Sequence, residues 1–331
     1  MLARKWLLYF YLAAVLIIIG LLLHNPAQQT KPTQTLRMAL VWVPNPQFAG
    51  FFLAQKLGFY KERGLEVEFL PYQTEESVHQ LLVSEQADLG IDTPDQVLMA
   101  RDQGDPLVAL AAIFRISPVV FASHASLGVQ HTRDLQDLRV GLLPDGTATL
   151  MDAILLHNGL SLNVIERVPM RYDMQGFLDG SLDVIPIYIT DEPFLLDQKQ
   201  VEYNLLLPHN HGMDTYGDTL MATESFVDNN QQAVADFVQA SLKGWRYLLE
   251  QPEASRELLH EFMHPLYENP EHQAFILKQS VPLIHSGLGP LGWMDASHWQ
   301  RLHDALQRQG LVEKPIDVRQ IFTNQYLDMN N

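Results

Sequence analysis

Between Leu40 and Glu68 the chain reads L-V-W-V-P-N-P-Q-F-A-G-F-F-L-A-Q-K-L-G-F-Y-K-E-R-G-L-E-V-E, and no other stretch constrains the fold as much. An apolar strand runs into a polar, proline-interrupted loop, then a helix, then the opening of a second strand. This is a βα unit. Its loop, Asn45 to Phe48, falls at the carboxyl end of its strand, where open α/β sheets bind ligands.

The alternation continues. Strands are expected at Met38–Val43, Leu65–Leu70, Ala87–Ile91 and Leu107–Ile113. The helices between them end at Leu57, run from about Thr74 to Gln86, and span Pro94–Gln103 with Thr93 as N-cap. A second set follows Phe121–His124, with strands Arg139–Leu143, Ile165–Pro169, Asp183–Ile189 and Glu202–Leu207. Its helices are Ala148–Asn158, Tyr172–Leu178 and Asp191–Gln198. No sequence repeat links the halves, only the order of elements. Beyond Leu220–Thr223 the pattern turns helical, at Gln231–Leu249, Ala254–Met263, His272–Gln279 and Ala296–Gln309. Such alternation predicts two α/β lobes with mostly parallel sheets. The division is residues 36–120 for lobe 1 and 121–222 for lobe 2, with 223–331 completing lobe 1 and adding C-terminal helices.

Ahead of this body, Trp6 to Leu23 is an unbroken apolar run behind Arg4 and Lys5. At about 1.5 Å per residue it reaches roughly 27 Å, near the thickness of a bilayer core. Residues 1–24 therefore read as a signal anchor, with a cleaved signal peptide as the alternative; Asn25-Pro26-Ala27 is a poor cleavage site. The basic flank places everything after His24 across the membrane. Asn25 to Thr35, polar and twice interrupted by proline, reads as a linker.

With 331 residues and 47% hydrophobic composition the chain can bury a sizeable core. A net charge of −17 and the lack of a Lys/Arg stripe exclude nucleic acid as a partner. Cysteine is absent, which removes disulfides, thiolate metal sites, a Cys nucleophile and a lipidated Cys.

Further segments share an order and spacing: A-D-L-G-I (Ala87–Ile91), A-R-D-Q-G-D-P-L-V (Ala100–Val108), D-L-Q-D-L-R-V-G (Asp134–Gly141), Y-I-T-D-E-P-F (Tyr188–Phe194), Y-G-D-T-L (Tyr216–Leu220) and A-S-L-K-G-W-R-Y (Ala240–Tyr247). With the opening motif, they make the body from Leu36 to Leu311 resemble the thiamine-pyrimidine-precursor and sulfonate-type solute-binding proteins of ABC importers, a superfamily that includes thiamine pyrimidine synthases. The resemblance implies a type II periplasmic-binding-protein (venus-flytrap) fold, a small-molecule ligand, no cofactor, and an ABC permease as partner. The Gln47–Ala54 version resembles a branch found as the input domain of membrane sensors, which leaves a signalling partner as the alternative.

Four strand-to-helix loops are expected to converge on one cleft. They bring Asn45, Gln47 and Phe48; Asp92 and Thr93; Asp145, Gly146 and Thr147; and Thr190, Asp191 and Glu192. Two loops come from each lobe, as a clamshell requires. Trp42, Phe48, Tyr188 and Tyr216 offer flat surfaces for a heteroaromatic ring, or else core packing. Asp218 follows Tyr216 in the same family segment. The carboxylates suit an amine-bearing ligand better than a sulfonate, which would want Arg, Lys and exposed amides. The resemblance points to an aminopyrimidine.

Enzyme readings fare less well. His260-Glu261-Phe262-Met263-His264 matches the zinc-peptidase pattern, but Pro265 disfavours helical geometry at His264. His209, His211 and Asp214 form a looser group. The synthases use an F-K-A-x-x-H segment and a cysteine-rich motif. This chain has I-D-T-P-D-Q there, with Asp92 in the lysine position and Gln96 in the histidine position. No G-x-S-x-G elbow occurs. The sequence reads as a binding protein.

Overall fold

A computed structural model describes residues 33–328 except 71, 73–75, 144–145, 172, 286 and 288. The Trp6–Leu23 run, most of the linker and Asp145 lie outside the described residues. Among those described, no helix is long and apolar enough to cross a membrane.

The first sheet contains β1 (Gln34–Leu40), β2 (Leu65–Leu70), β3 (Leu89–Asp92), β4 (Leu107–Ala112) and β10 (Thr219–Thr223), in the order β2-β1-β3-β10-β4. The second contains β5 (Val119–His124), β6 (Arg139–Leu142), β7 (Glu166–Pro169), β8 (Val184–Tyr188) and β9 (Tyr203–Leu206), in the order β7-β6-β8-β5-β9. Both sheets are mixed rather than purely parallel. The odd strand in each is the one arriving from the other sheet: β10 lies antiparallel to β3 and β4, and β5 antiparallel to β8 and β9. Thr219–Ala222, which the sequence division put at the end of lobe 2, thus pairs in the first sheet. Gln34 and Thr35, read as linker, already belong to β1 and pair with Leu65 and Glu66.

Each sheet is covered on both faces, as its apolar strands require. Leu36, Met38 and Leu40 enter one core cluster while Ala39 enters another. In β5, Val119 and Phe121 face one cluster, and Val120 and Ala122 face its opposite. This is the period-2 alternation of a strand buried on both sides. A hidden correspondence links the halves. The backbone N–H and guanidinium of Arg37, in β1, both donate to Asp88, just before β3. Arg139, at the start of β6, does the same to Asp183, just before β8. The same clamp sets the same strand pair in both sheets.

Helices α1 (Ala49–Lys56), α2 (Phe59–Glu62), α3 (Val78–Val83) and α4 (Pro94–Gln103) belong to the first half; α5 (Gly146–His157), α6 (Gln175–Leu178) and α7 (Glu192–Gln198) belong to the second. The C-terminal part supplies α8 (Glu224–Asn229), α9 (Gln231–Glu250), α10 (Pro252–Leu259), α11 (Pro270–Ile284) and α12 (Ala296–Arg308). Where α9 crosses α1, glycine is needed on both sides. A Cβ at Gly244 would meet the Gly50 carbonyl at 2.0 Å, and a Cβ at Gly50 would sit inside the Trp245 ring. The residues between β4 and β5 and those before β10 run side by side. Ile113 N–H donates to Asp218 O, Gly217 N–H to Phe114 O, and Ser117 N–H to Thr215 O. This paired crossing connects the two sheets. Helix α12 joins them as well: Leu302 and Leu306 pack with the first half, and Ala305 with Leu150 and Ile154 of the second.

Candidate ligand-binding cleft

Strand β1 stops at Leu40, earlier than the sequence suggested, because Val41 to Pro44 turn away as a bend. Asn45 then accepts the Gln47 N–H at 2.7 Å, capping the short 3₁₀ turn Pro46–Phe48 that leads into α1. Phe48 drops wholly into the core beneath, so it serves packing. Gln47 stays at the surface of the cleft, and its amide donates to Asp218 at 2.7 Å. Asp218 is itself buried behind the wall, so it reaches the cleft only through Gln47.

At the end of β3, Asp92 accepts the Thr93 N–H at 2.7 Å, and α4 begins with Pro94. Thr93 occupies the N-cap position, but its side chain makes no capping bond. In the second half, Gly146 and Thr147 open α5. A Cβ on Gly146 would stand 3.1 Å from an Asp95 carboxyl oxygen, so a carboxylate from α4 already approaches the amino end of α5 across the cleft. At the end of β8, the Glu192 side chain turns back to accept the Tyr188 N–H at 2.8 Å, while Thr190 is buried and Asp191 takes the N-cap position of α7.

These loops border one cavity of about 950 Å³ between the sheets. From the first half it is lined by Trp42, Asn45, Gln47, Asp92 and Thr93; from the second by Gly146, Thr147, Tyr188, Thr190, Asp191 and Glu192. Tyr216 lines it from the crossing segment, where its hydroxyl accepts the Asp295 N–H at 2.6 Å and its ring stacks on His298.

Several lining residues carried no signal in the sequence. Tyr72 meets Trp42 with ring centroids 4.9 Å apart, giving an aromatic wall. Tyr267 and His272, far along the chain, both reach Asp191: the tyrosine hydroxyl donates at 2.7 Å, and His272 Nε2 lies 2.6 Å from the other carboxyl oxygen. Phe194 stacks on the His272 ring at 4.7 Å.

The electrostatics are unusual. Burial pushes Asp92 up to about 8, with Asp95 and Asp218 adding to the rise against the opposing Thr93 amide. Burial also pushes Glu192 up to about 8, helped by Asp191. It pushes Asp218 up to about 7 despite the Gln47 donor, and Tyr216 up to about 12. At neutral pH Asp92 and Glu192 are thus largely protonated. Each has one oxygen accepting a backbone N–H, from Thr93 or Tyr188, and a hydroxyl to donate. Among the described lining residues there is no lysine or arginine.

The other candidate chemistry does not assemble. The His260–Phe262 turn is 3₁₀, and Met263 is extended (φ −73°, ψ 133°), so His260 and His264 do not share a helical turn. His264 Nδ1 instead accepts the Leu266 N–H. Asp214 turns to His298 and Arg301, not to His209 or His211. Among the described residues, no group of three His, Asp or Glu side chains is placed to hold a metal.

Comparison with known proteins fits this geometry. The family model described as NMT1/THI5 like matches residues 45–255. The chain belongs to the NMT1/THI5-like family. The riboflavin-binding protein RibY of Chloroflexus aurantiacus is 26% identical over 91% of this chain and 89% of its own length. The formylaminopyrimidine-binding protein of Halalkalibacterium halodurans is 23% identical over 91% of this chain and 93% of its own. Among solved structures, the alkanesulfonate-binding protein SsuA from Xanthomonas axonopodis pv. citri superposes with a TM-score of 0.68 at 15% identity, covering 89% of this chain and 99% of that one. The fold is that of a periplasmic binding protein.

Proposed function

We propose that this member of the family is a solute-binding protein that captures a flat, nitrogen-rich heteroaromatic molecule between its two sheets. The observation that carries this reading is the pair Asp92 and Glu192, one from each sheet, both pushed up to about 8 and both lining one cavity. In each, one oxygen already accepts a backbone N–H, so the neutral carboxyl has its hydroxyl to give to a ring nitrogen or a ring carbonyl of such a molecule. The Trp42–Tyr72 wall supplies a face for stacking.

The same features argue against an alkanesulfonate. No lysine or arginine stands among the described lining residues, and the amino end of α5, the natural anion site, already faces the Asp95 carboxyl group. The volume, about 950 Å³, is at the upper end for drug-sized sites, so there is room beyond a single pyrimidine ring. The riboflavin- and formylaminopyrimidine-binding relatives give the two ligand classes to test. Synthase chemistry is disfavoured because Asp92 and Gln96 replace the lysine and histidine that such chemistry uses.

In this reading Trp6–Leu23 tethers the body on the periplasmic face, and the loaded protein delivers to an ABC permease. An intact mass beginning at Met1 tests the tether. A sensor role for a signalling partner shares the same cleft, and uptake of labelled ligand by cells with and without the protein separates the two. The ligand class is tested by thermal melting of the full-length protein with riboflavin, a formylaminopyrimidine and an alkanesulfonate. A bound compound at a hundredfold excess over Kd stabilises the native state by about 2.7 kcal/mol. One of the heteroaromatics should raise the melting temperature by several degrees and the sulfonate should not; the reverse pattern would refute the proposal.

A further inference from the structure

Trp42, part of the cleft's aromatic wall, gets no support from the sheet. It stands in the bend that follows β1, beyond the last paired residue of that strand, so no ladder fixes the plane of its ring. A segment far along the chain comes to it instead. The His264 N–H donates to Pro44 O at 2.8 Å, which ties the 3₁₀ turn Pro265–Tyr267 to the bend. The turn brings Tyr267, itself buried, to the cleft wall. There the Trp42 indole, whose one polar group is its N–H, hydrogen-bonds the tyrosine hydroxyl. That hydroxyl donates in turn to Asp191, in the other half of the molecule, at 2.7 Å.

The donors run one way, from Trp42 to Tyr267 and from Tyr267 to Asp191, and hydrogen bonds in such a chain strengthen one another. Its far end is anchored. The second Asp191 oxygen lies 2.6 Å from His272 Nε2, and the His272 ring stacks on Phe194 at 4.7 Å and against Tyr267 at 5.5 Å. Asp191 and Phe194 belong to one half, Tyr267 and His272 to the other, so the anchor forms where the halves meet.

We infer that Tyr267 is a positioning residue of the ring site: through its hydroxyl the Asp191 carboxyl of one half sets the Trp42 ring of the other, so that the stacking face is aligned when the cleft closes and released when it opens. This rests on the reading above, in which a flat ring stacks on Trp42, and adds what aligns that face. Removing the Tyr267 hydroxyl leaves Asp92 and Glu192 in place but lets the indole turn.

The test is a double-mutant cycle on binding. Tyr267→Phe keeps the ring and loses the hydroxyl; Trp42→Phe keeps a flat face and loses the N–H. Riboflavin and a formylaminopyrimidine are titrated by calorimetry into the full-length wild-type protein, the two single variants and the double variant. For the compound that binds, each single variant should weaken binding about tenfold, and the double variant hardly more than one of them, because losses within one hydrogen-bonded network do not add. A tyrosine with only a structural role would weaken Trp42→Phe by the same factor as the wild type. Asp191→Ala breaks the relay from the other half and should show the same non-additivity with Trp42→Phe, which carries the test if Tyr267→Phe does not fold. Losses that multiply independently, or an unchanged affinity in Tyr267→Phe, overturn the relay while the ring-binding reading stands. If neither compound binds the wild type, both fall.

Discussion

Glu192 shows how a residue's role depends on its protonation. As an ionised side chain it would accept from an amine. With burial raising it to about 8, it is a neutral acid whose acceptor oxygen takes the Tyr188 N–H, leaving the hydroxyl proton to be given away. Glu192→Gln keeps both an acceptor and a donor, so ligand affinity should change by only a few-fold. Glu192→Leu strands the Tyr188 amide and removes the donor, and should cost about 1.5–3 kcal/mol of binding, roughly ten- to hundredfold in Kd by calorimetry. A large loss in Glu192→Gln would show that the ionised form binds. Asp92 makes a separate prediction about pH. Its folded value of about 8 lies far above the unfolded value near 4, so the native state holds a proton that the unfolded chain loses between those values. Its contribution to stability is therefore full below about pH 4 and declines as pH rises towards 8. Asp92→Asn, neutral throughout, should melt close to the wild type at pH 5 and clearly above it at pH 8.5. A gap that does not widen with pH would contradict the shift. Most of the cleft's loop residues were legible in the sequence because each sits where a strand meets a helix. Tyr267 and His272 were not, since contact with Asp191 depends on how distant helices pack, and nothing near them in sequence encodes it.

At the scale of elements, the tightest constraint is the crossing of α9 over α1. Gly244 lets the Gly50 carbonyl approach to a distance that no Cβ tolerates. Gly244→Ala must push the helices apart and should cost at least about 1–3 kcal/mol of stability, read as a lowered melting temperature. A variant as stable as the wild type would mean the helices can part freely. The A-S-L-K-G-W-R-Y segment was readable as a landmark, but its glycine's purpose was not, because the reason lies in another helix. Strand positions were readable from apolar runs, and Leu65–Leu70 and Pro94–Gln103 appear as expected. Strand direction was not. Periodicity is the same for a parallel and an antiparallel strand, so the reversed β5 and β10 left no trace, and Thr219–Ala222 fell on the wrong side of the division. The paired Arg37–Asp88 and Arg139–Asp183 clamps were present in the sequence as L-R and D-L or D-V, too short to stand out as a repeat.

At the scale of the molecule, two sheets are joined by a paired crossing and face one another across a cavity. The Asp191 carboxyl grips Tyr267 and His272 from the opposite half, and Asp95 approaches Gly146, so protein contacts cross the cleft. A ligand held by Asp92 on one side and Glu192 on the other adds to these contacts only when the halves are together, and so shifts the population towards the closed form. Small-angle scattering of the full-length protein, recorded alone and at saturation with the heteroaromatic that raises its melting temperature, tests this most directly. The account predicts a smaller radius of gyration with ligand, and a smaller change or none in Glu192→Leu at the same ligand concentration. Tight, saturating binding with an unaltered radius of gyration would contradict it.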